Sequence, residues 1–425
     1  MRPSRRTRIT IRMVGRYALG GWLLASVPAA VALAFFGSQF SGPSRAAMDC
    51  AQVARNIARG RGFTTNVLIP AALSRCERRA AFPDLANPPL HPAGLALAFA
   101  LGNPRGQRAS DNAAALWTLL WWFLVLGLSW ALSARLFGLK PAIITVLALT
   151  WNVALLRSAL AAEVVPPLAF ATTALFFAMY EIGRIPADAT RPARAIRRLG
   201  PILWGAIAGL CFLAEYTFLA VLLAVACFVL LPRDGDRWRR CLAAVVAFLV
   251  VTLPWLVRNE RAVGDALASV RWYSVVNGMS DYAGGSFARS ARPEPLPALV
   301  LSDLGEYLRA TLVRLGGLRD GILDSGDVFV VGLFIAAAFV PFGDATLNRV
   351  RVALYVAMVG VALAVALAGG GLGLTPFVPL INVIAVGFFL QHLEARRVGV
   401  RIRRGRRISS AFMRWVIICA GLALL

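Results

Sequence analysis

An all-α, polytopic membrane protein with about 10–12 spanning helices is the fold class that the sequence predicts. Of the 425 residues, 59% are hydrophobic and only 16% are charged, whereas about 25% of the residues in a soluble domain are charged. The apolar residues fall into runs of about 15–25, the length that a helix needs to cross a hydrocarbon core of about 30 Å. Because these runs are continuous rather than alternating, they favour helices over the strands of a closed barrel.

The apolar runs place the predicted spans along the chain. The stretch at 201–231 is too long for one helix and is interrupted by Glu215, so we predict a hairpin of two short helices there. The first run is longer than the apolar region of a signal peptide, which favours a retained helix. The last run ends without a polar exit, and we expect a missing C-terminal part. The runs cover residues 17–38, 113–133, 141–157, 163–182, 201–231, 241–257, 327–341, 351–368, 376–392 and 412–425.

Arginine clusters predict how the helices are oriented. The net charge is +24, and Lys140 is the one lysine. Because positive loops stay in the cytoplasm and face anionic lipid, we expect a cytoplasmic N-terminus in a bacterial inner (plasma) membrane. The same reasoning assigns this charge to membrane lipids rather than to nucleic acid. The clusters lie at residues 2–16, 184–198, 233–240 and 396–407.

Two long segments are expected on the exterior. The segment 258–324 holds eight arginines and eight acids, so it lacks the cytoplasmic bias. Residues 39–112 form a first exterior loop with juxtamembrane helices, because the apolar run at 90–101 is short for a span. The alternative is a true span at 86–102.

Histidine and cysteine are scarce. Only His91 and His392 are present, which argues against a histidine-rich metal site and against a Ser/His/Asp triad. Cys50 and Cys76 share the first exterior loop. This arrangement leaves two alternatives open, a disulfide in an oxidising compartment or two thiols.

Polar residues of the exterior loops are the candidates for chemistry. Asp49 precedes a short predicted helix as its N-cap, and the structural alternative is that it only caps that helix. Asp84 and His91 lie in the proline-rich stretch 82–92, which holds an extended backbone. That stretch either orients both side chains toward a cavity or forms a rigid lead-in to the next helix. Glu163 lies between two spans, where a carboxylate needs a protein or water partner.

A Pro-Trp-x-x-Arg-Asn sequence ends the predicted span at 241–257. Trp255 suits the membrane interface. Arg258 follows at headgroup depth, where the paired donors of a guanidinium can bind a lipid phosphate. The alternative is an arginine that only extends to the interface. Asn259 comes next in the same sequence.

Four features together resemble the polytopic GT-C glycosyltransferases, in the branch of protein O-mannosyltransferases and lipid A aminoarabinose transferases (glycosyltransferase family 39-like). An acid follows the first span and precedes an Ala-Arg-Asn and Gly-Arg-Gly-Phe stretch at 54–63. The Asn-Pro-Pro-Leu-His-Pro stretch at 87–92 is similar to the family's His-Pro-Pro-Leu segment. Glu163 matches an acid of the second exterior loop, and 254–259 matches the family's Pro-Trp-x-x-Arg-Asn signature. The likeness covers residues 15–290.

This resemblance implies a GT-C fold and a reaction. A sugar would move, with inversion, from a polyprenyl-phosphate donor to a lipid, glycan or protein acceptor on the exterior face. A divalent metal, Mg²⁺ or Mn²⁺, is left open, with Asp49 as its ligand if one is used. The implied site residues are Asp49, Asp84 and Glu163 as catalytic acids, and Arg258, Asn259 and His91 for the donor phosphate.

The same pattern divides the chain and leaves other functions open. Residues 1–290 form a predicted transmembrane catalytic module, and 291–425 a set of C-terminal transmembrane helices. Cys50 stands where the family often has a second acid, and 369–376 lacks the family's late exterior arginine. Both departures favour the alternative of a catalytically inactive partner protein. A lipid or solute transporter is a second alternative, although no inverted repeat is evident, and a polysaccharide polymerase or ligase is a third.

Overall fold

The computed structural model covers the central part of the chain. Cys76, most of the first predicted span and the whole of the last one lie outside the residues that it describes. The arginine clusters at 2–16 and beyond 397 also lie outside them, so the expectations for these parts stay predictions. The described residues are 26–34, 42–67, 82–104, 106–186, 188–232, 235–269, 274–276 and 296–397.

The fold is all-α, as predicted. The strands in the described part are β1 (Thr64–Thr65) and β2 (Phe82–Pro83), which pair antiparallel in the first exterior loop. In chain order the helices are α1 (26–34), α2 (Arg45–Ala58), α3 (Leu90–Gly102), α4 (Gln107–Phe137), α5 (Leu139–Thr150), α6 (Val153–Leu160), α7 (Val165–Gly183), α8 (Arg191–Ala214), α9 (Ala220–Leu230), α10 (Arg237–Val263), α11 (Leu296–Ser302), α12 (Leu304–Gly326), α13 (Val328–Phe339), α14 (Ala345–Ala368) and α15 (Val378–Arg397).

Several helices are long and apolar enough to cross a bilayer, so the chain is a multi-pass integral membrane protein. The described residues contain six such helices, or up to eight if each of two bent pairs counts as one span. The bent pairs are α5 with α6, at 54°, and α12 with α13, at 110°. The 13 residues of α3 reach only about 20 Å. This length favours the juxtamembrane interpretation of 86–102 over a true span.

The predicted hairpin at 201–231 breaks at Glu215, but its arms are unequal. The backbone at Glu215 is extended, with φ −156° and ψ 118°, and a 3₁₀ turn at Tyr216–Leu219 leads into α9. Helix α8 has 24 residues and is long enough to span alone. The expectation of two short helices is therefore wrong for the first arm, because the helix extends back through the arginine link to Arg191.

The helices enclose one large apolar core. Side chains from α7 to α10 pack with side chains from α14 and α15. Phe218 stacks on Phe377, with ring centroids 5.4 Å apart. Helix α14 lies against α9, and α15 against α4, so helices on both sides of residue 290 share this core. The division of the chain at that residue stays a prediction.

Helices α8 and α10 approach each other closely at Gly205. A Cβ atom there would lie 1.9 Å from the carbonyl oxygen of Ala244. We expect Gly205→Ala to lower the free energy of unfolding by about 1–3 kcal/mol, because the new methyl group would force the Ala244 backbone, and with it α10, to shift. Gly316→Ala is the matched control, since a Cβ at that helical position meets nothing within 4 Å. Equal melting temperatures for the two variants in detergent would contradict this packing.

Reporter fusions test the orientation of α10. Arg237 and Gly264 lie at the opposite ends of this helix. We expect a cytoplasmic signal from a fusion at Arg237 and exterior signals from fusions at Gly264 and at Gly62. Cytoplasmic activity at Gly264 would contradict the positive-inside assignment and would place Arg258 in the wrong leaflet.

Candidate functional site

Helix α2 carries Asp49 on an exposed face. The helix begins at Arg45, and Ser44 is its N-cap, with the Ser44 hydroxyl accepting from the backbone N–H of Ala47 at 3.2 Å. The prediction that Asp49 is the N-cap is therefore wrong, because a serine five residues earlier already fills that role. Asp49 lies one turn inside the helix with its side chain exposed. Helix capping, the structural alternative for Asp49, therefore does not explain why an acid stands at this position.

Side chains next to Asp49 on α2 fasten the helix to the rest of the predicted exterior loop. The Cys50 thiol donates to the Asn87 side-chain oxygen at 3.3 Å. The Asn56 amide donates to the Thr64 carbonyl at 3.0 Å. Val53 is fully buried between these contacts. The helix is thus held at both ends of one face. The other member of the predicted cysteine pair lies outside the described residues, so the disulfide remains a prediction.

Asp84 is buried beneath α2, with only 2% of its surface exposed. Its carboxylate accepts from the Ala86 backbone N–H and from the Asn87 side-chain amide, both at 3.0 Å. Burial raises the pKa of Asp84, and these hydrogen bonds together with the nearby Arg258 charge oppose that increase. The proline-rich stretch therefore holds Asp84 rigidly in place, as the sequence predicts.

Asp49 and Asp84 lie close enough to influence each other's protonation. Partial burial raises the pKa of Asp49, and the negative charge of Asp84 raises it further. Two carboxylates that share a site disfavour double ionisation. Asp84, which comes from a segment 35 residues further along the chain, is thus a second acid in the neighbourhood of Asp49.

Arg258 connects the end of α10 to the loop that holds Asp84. Its guanidinium donates to the carbonyl oxygens of Asp84 at 3.1 Å and Phe63 at 2.7 Å, and to the side-chain oxygen of Asn259 at 2.9 Å. It lies over the rings of Trp255, at 4.7 Å, and Phe63, at 5.3 Å. The structure therefore brings Asp49, Asp84, Arg258 and Asn259 into one neighbourhood.

Two further residues support this neighbourhood and were not predicted. The Trp255 indole donates to the Tyr216 hydroxyl at 2.9 Å, so the break after Glu215 positions a tyrosine behind Arg258. The Ser269 hydroxyl donates to the Leu85 carbonyl at 3.2 Å. The interruption at Glu215 was a usable signal for Tyr216, whereas nothing in the local sequence marks Ser269.

Glu163 and His91 lie near the N-terminal end of α2. The backbone N–H of Ser44 donates to the Ala161 carbonyl at 3.1 Å, and His91 Nε2 lies 3.0 Å from the Ala162 carbonyl. Burial raises the pKa of half-buried Glu163, which a hydrogen bond from Ser44 and the charge of Arg157 oppose. These two residues brace the start of α2, about 7 Å along the helix from Asp49.

The buried imidazole of His91 makes stability depend on pH. Burial lowers its pKa from 6.5 to about 4, so the unfolded chain binds more protons between these pH values. Stability is therefore full above pH 6.5 and is lost as the pH falls toward 4, on the order of 3 kcal/mol from this group. We expect His91→Gln to flatten the dependence of melting temperature on pH. If the melting temperature of His91→Gln depended on pH as steeply as that of the wild type, buried His91 would not be the source of this pH dependence.

Comparisons with solved structures identify the architecture. ArnT from Cupriavidus metallidurans, solved bound to undecaprenyl phosphate, is 17% identical, with a TM-score of 0.52 over 97% of this chain and 69% of that one. The oligosaccharyltransferase AglB from Archaeoglobus fulgidus, solved with an inhibitory peptide and dolichol-phosphate, is 14% identical, with a TM-score of 0.55. The fold is that of the GT-C glycosyltransferases. The fold expected from the sequence resemblance is confirmed.

Among the comparisons with known proteins, the comparison of structures is the one that finds this likeness. No protein-family model and no curated protein sequence matches the chain. The match to AglB covers 96% of this chain but 54% of that one, so the chain spans about half the length of the archaeal enzyme. At these identities the similarity establishes the fold, and the activity is a separate inference.

The acids of the site partly suit a divalent cation. The Archaeoglobus fulgidus oligosaccharyltransferase has been solved in complex with Zn and sulfate, at 13% identity and a TM-score of 0.51 over 94% of this chain and 53% of that one. Among the residues described here, no group of three or more His, Cys, Asp or Glu side chains is arranged to hold a metal. Mg²⁺ needs fewer protein ligands, because it binds through one or two carboxylates plus substrate phosphate and water. The exposed Asp49 offers one such carboxylate, whereas both oxygens of buried Asp84 already accept hydrogen bonds.

Proposed function

We propose that this chain is a glycosyltransferase that moves a sugar from a polyprenyl-phosphate donor to an acceptor on the exterior face of the membrane. The observation that carries the proposal is the exposed carboxylate of Asp49 close to buried Asp84. Arg258, on a spanning helix, binds the Asp84 carbonyl and so connects these acids to the membrane-spanning part. The GT-C fold supports it, since neighbours of that fold have been solved with undecaprenyl phosphate and dolichol-phosphate. We place the protein in a bacterial plasma membrane with a cytoplasmic N-terminus.

Asp49 has the properties of a base for the acceptor hydroxyl. It is exposed on α2, and its pKa is raised toward the working pH by burial and by Asp84. A base whose pKa lies nearer the working pH transfers protons more effectively. In the proposed reaction Asp49 accepts the hydroxyl proton while the acceptor oxygen attacks the anomeric carbon. The bond from that carbon to the phosphate oxygen breaks on the opposite face, which inverts the configuration.

The departing polyprenyl phosphate carries away the electron pair and needs positive charge. Arg258 lies at the end of α10, at the depth expected for a lipid phosphate. In our proposal Arg258 supplies that charge while it keeps the Asp84 and Phe63 carbonyls in place, and the Asn259 side chain orients the guanidinium by accepting from it. Electrostatic stabilisation by fixed donors is a large contribution to this class of reaction. If Asp49 held a divalent cation instead of acting as the base, that cation would supply further positive charge to the site.

Glu163 and His91 have supporting places in the proposal. Glu163 and the Ala161 carbonyl hold the N-terminal end of α2 through Ser44, and the neighbouring Ala162 carbonyl contacts His91 of α3. Because neutral His91 already lies against that carbonyl, we assign it to positioning α2 rather than to the phosphate. Glu163 is half-buried beside the same end and is the second acid that an acceptor can reach.

An inactive partner protein is the second candidate function. The glycine segment that replaces the family's late arginine favours it. A Cβ at Gly369 would lie 1.9 Å from the Ser274 carbonyl oxygen, so glycine is needed there for packing. The Arg314 guanidinium lies beside this segment, where it donates to the Ala366 and Val275 carbonyls.

Donor turnover by the purified protein tests the proposal. The wild-type protein in nanodiscs is incubated with a panel of defined polyprenyl-phosphate sugars and membrane-derived acceptors. We expect label from at least one sugar to appear in an acceptor. A parallel assay uses the protein in sealed vesicles. Transport of the intact donor across the vesicle membrane without release of the sugar would favour a transporter. Absence of both activities over the whole panel would favour the inactive partner.

A further inference from the structure

A cavity lies at the arginine-rich end of the helix bundle, where five helices meet. Three of its lining residues are arginines, and two are aromatic. No carboxylate is among the described residues that line it. The lining residues are Ile182, Gly183, Arg197, Pro201, Trp204, Phe228, Val229, Pro232, Arg240 and Arg349.

This cavity is distinct from the Asp49 site. Arg240 lies near the start of α10, whereas Arg258 lies 18 residues later on the same helix. At 1.5 Å per residue the two arginines are about 27 Å apart along the axis. They therefore belong to opposite membrane faces, and the cavity faces the side that we predict to be cytoplasmic.

The three arginines of the cavity differ from their neighbours. Arg197, Arg240 and Arg349 come from three different helices, α8, α10 and α14, and each is half-buried. Arginines that only set topology extend into water. Arg194, Arg198 and Arg239 behave in that way, because all three are exposed on the same two helices, α8 and α10.

The two aromatic residues of the cavity, Trp204 and Phe228, supply a buried N–H group and a ring that contacts Arg349. Trp204 is 5% exposed, and its indole nitrogen has no hydrogen-bond partner in the described part of the chain. The Trp204 ring contacts Phe228 edge-on at 5.3 Å. The Arg349 guanidinium lies over the same Phe228 ring, also at 5.3 Å. Its Nη2 donates to the Thr346 hydroxyl at 3.2 Å. The cavity thus combines fixed cations with a buried N–H group.

Exposed apolar side chains cover the faces of α8 and α10 that point away from the cavity. Ile202 and Leu203 follow the lining residue Pro201, and each is 45% exposed. Leu242 follows Arg240 and is 64% exposed. A phospholipid can place its phosphate at the arginines while its acyl chains stay in the lipid that surrounds these helices. A free inorganic phosphate can use only the arginines.

We propose that this cavity binds the phosphate of an anionic phospholipid, whose acyl chains stay in the surrounding bilayer. Guanidinium groups match the geometry of phosphate oxygens through paired donors. Basic pockets between helices on the cytoplasmic side suit anionic headgroups. This inference does not depend on the proposed sugar transfer, since it uses a separate face of the molecule.

Native mass spectrometry of the purified full chain tests the proposal with phosphatidylglycerol and phosphatidylcholine as probes. We expect the wild type to bind phosphatidylglycerol at least about tenfold more tightly than phosphatidylcholine. The combined variant Arg197→Gln, Arg240→Gln, Arg349→Gln should lose that preference. The matched variant Arg194→Gln, Arg198→Gln, Arg239→Gln removes the same charge and should keep it. Equal losses in both variants would show non-specific attraction and would overturn the proposal.

Milder variants keep the test decisive if the combined variant does not fold. Arg197→Lys retains the charge but loses the paired donors, and Trp204→Phe removes only the indole N–H. Each should weaken phosphatidylglycerol binding about threefold. Wild-type binding by both variants would overturn the proposal. Stabilisation of the wild type by inorganic phosphate equal to that by the lipid would also overturn it, by showing a site for free phosphate.

Discussion

Replacing Asp49 by asparagine is expected to lower sugar transfer at least about a hundredfold while the protein keeps its normal abundance and melting temperature. The side chain is exposed on α2 and does not cap the helix, so the substitution should change stability by less than about 0.5 kcal/mol. Loss of a positioned general base costs on the order of 10²–10⁴ in rate. The measurement is the initial rate of transfer from a polyprenyl-phosphate sugar in nanodiscs.

Glu260→Gln is the matched control for Asp49→Asn. Glu260 is an exposed acid at the exterior end of α10, two residues beyond Arg258, and its removal changes the charge by the same amount. We expect a rate within about threefold of wild type, since an exposed acid outside the site contributes only screened electrostatics. An equal loss in both variants would indicate a general charge effect and would remove Asp49 from the proposed chemistry.

Replacing Arg258 by lysine is expected to reduce transfer by about a hundredfold and to lower the melting temperature. Lysine keeps the positive charge near the phosphate but cannot bind the Phe63 and Asp84 carbonyls together. The loop that carries Asp84 then shifts, and displacement of a reacting group by about 1 Å can cost 10² in rate. Initial rates over a range of donor concentrations measure this effect.

The lysine variant separates two roles of Arg258. If Arg258 served only as a point charge for the phosphate, lysine would preserve most of the activity. If it positions Asp84, kcat should fall while the KM for the donor changes little. Arg261→Lys is the control, because Arg261 is exposed one turn further along α10. Full activity of Arg258→Lys would contradict the positioning role.

The membrane fold could be predicted because its determinants are local. Apolar runs gave spans that coincide with α4, α7, α10, α14 and α15, since the length of a run alone decides whether a helix can cross lipid. The break at Glu215 was also local. The unequal arms of that hairpin were missed, because a helix continues through arginines as readily as through leucines.

The site was predictable only in part, because its assembly is tertiary. Asp49 and Asp84 were singled out separately, but their pairing depends on α2 packing against the proline-rich stretch through Cys50 and Asn87. Ser44 was a recognisable N-cap that was overlooked. The three cavity arginines have the same local sequence character as their exposed neighbours, so only the packing of the helices distinguishes them.

The balance between donor and products tests the central claim most directly. Wild-type protein in nanodiscs is given a polyprenyl-phosphate sugar labelled in both the sugar and the lipid. The account predicts that free polyprenyl phosphate appears in equal amount with labelled acceptor, and that Asp49→Asn slows both together. Binding of the donor with no release of polyprenyl phosphate from any sugar in the panel would contradict it.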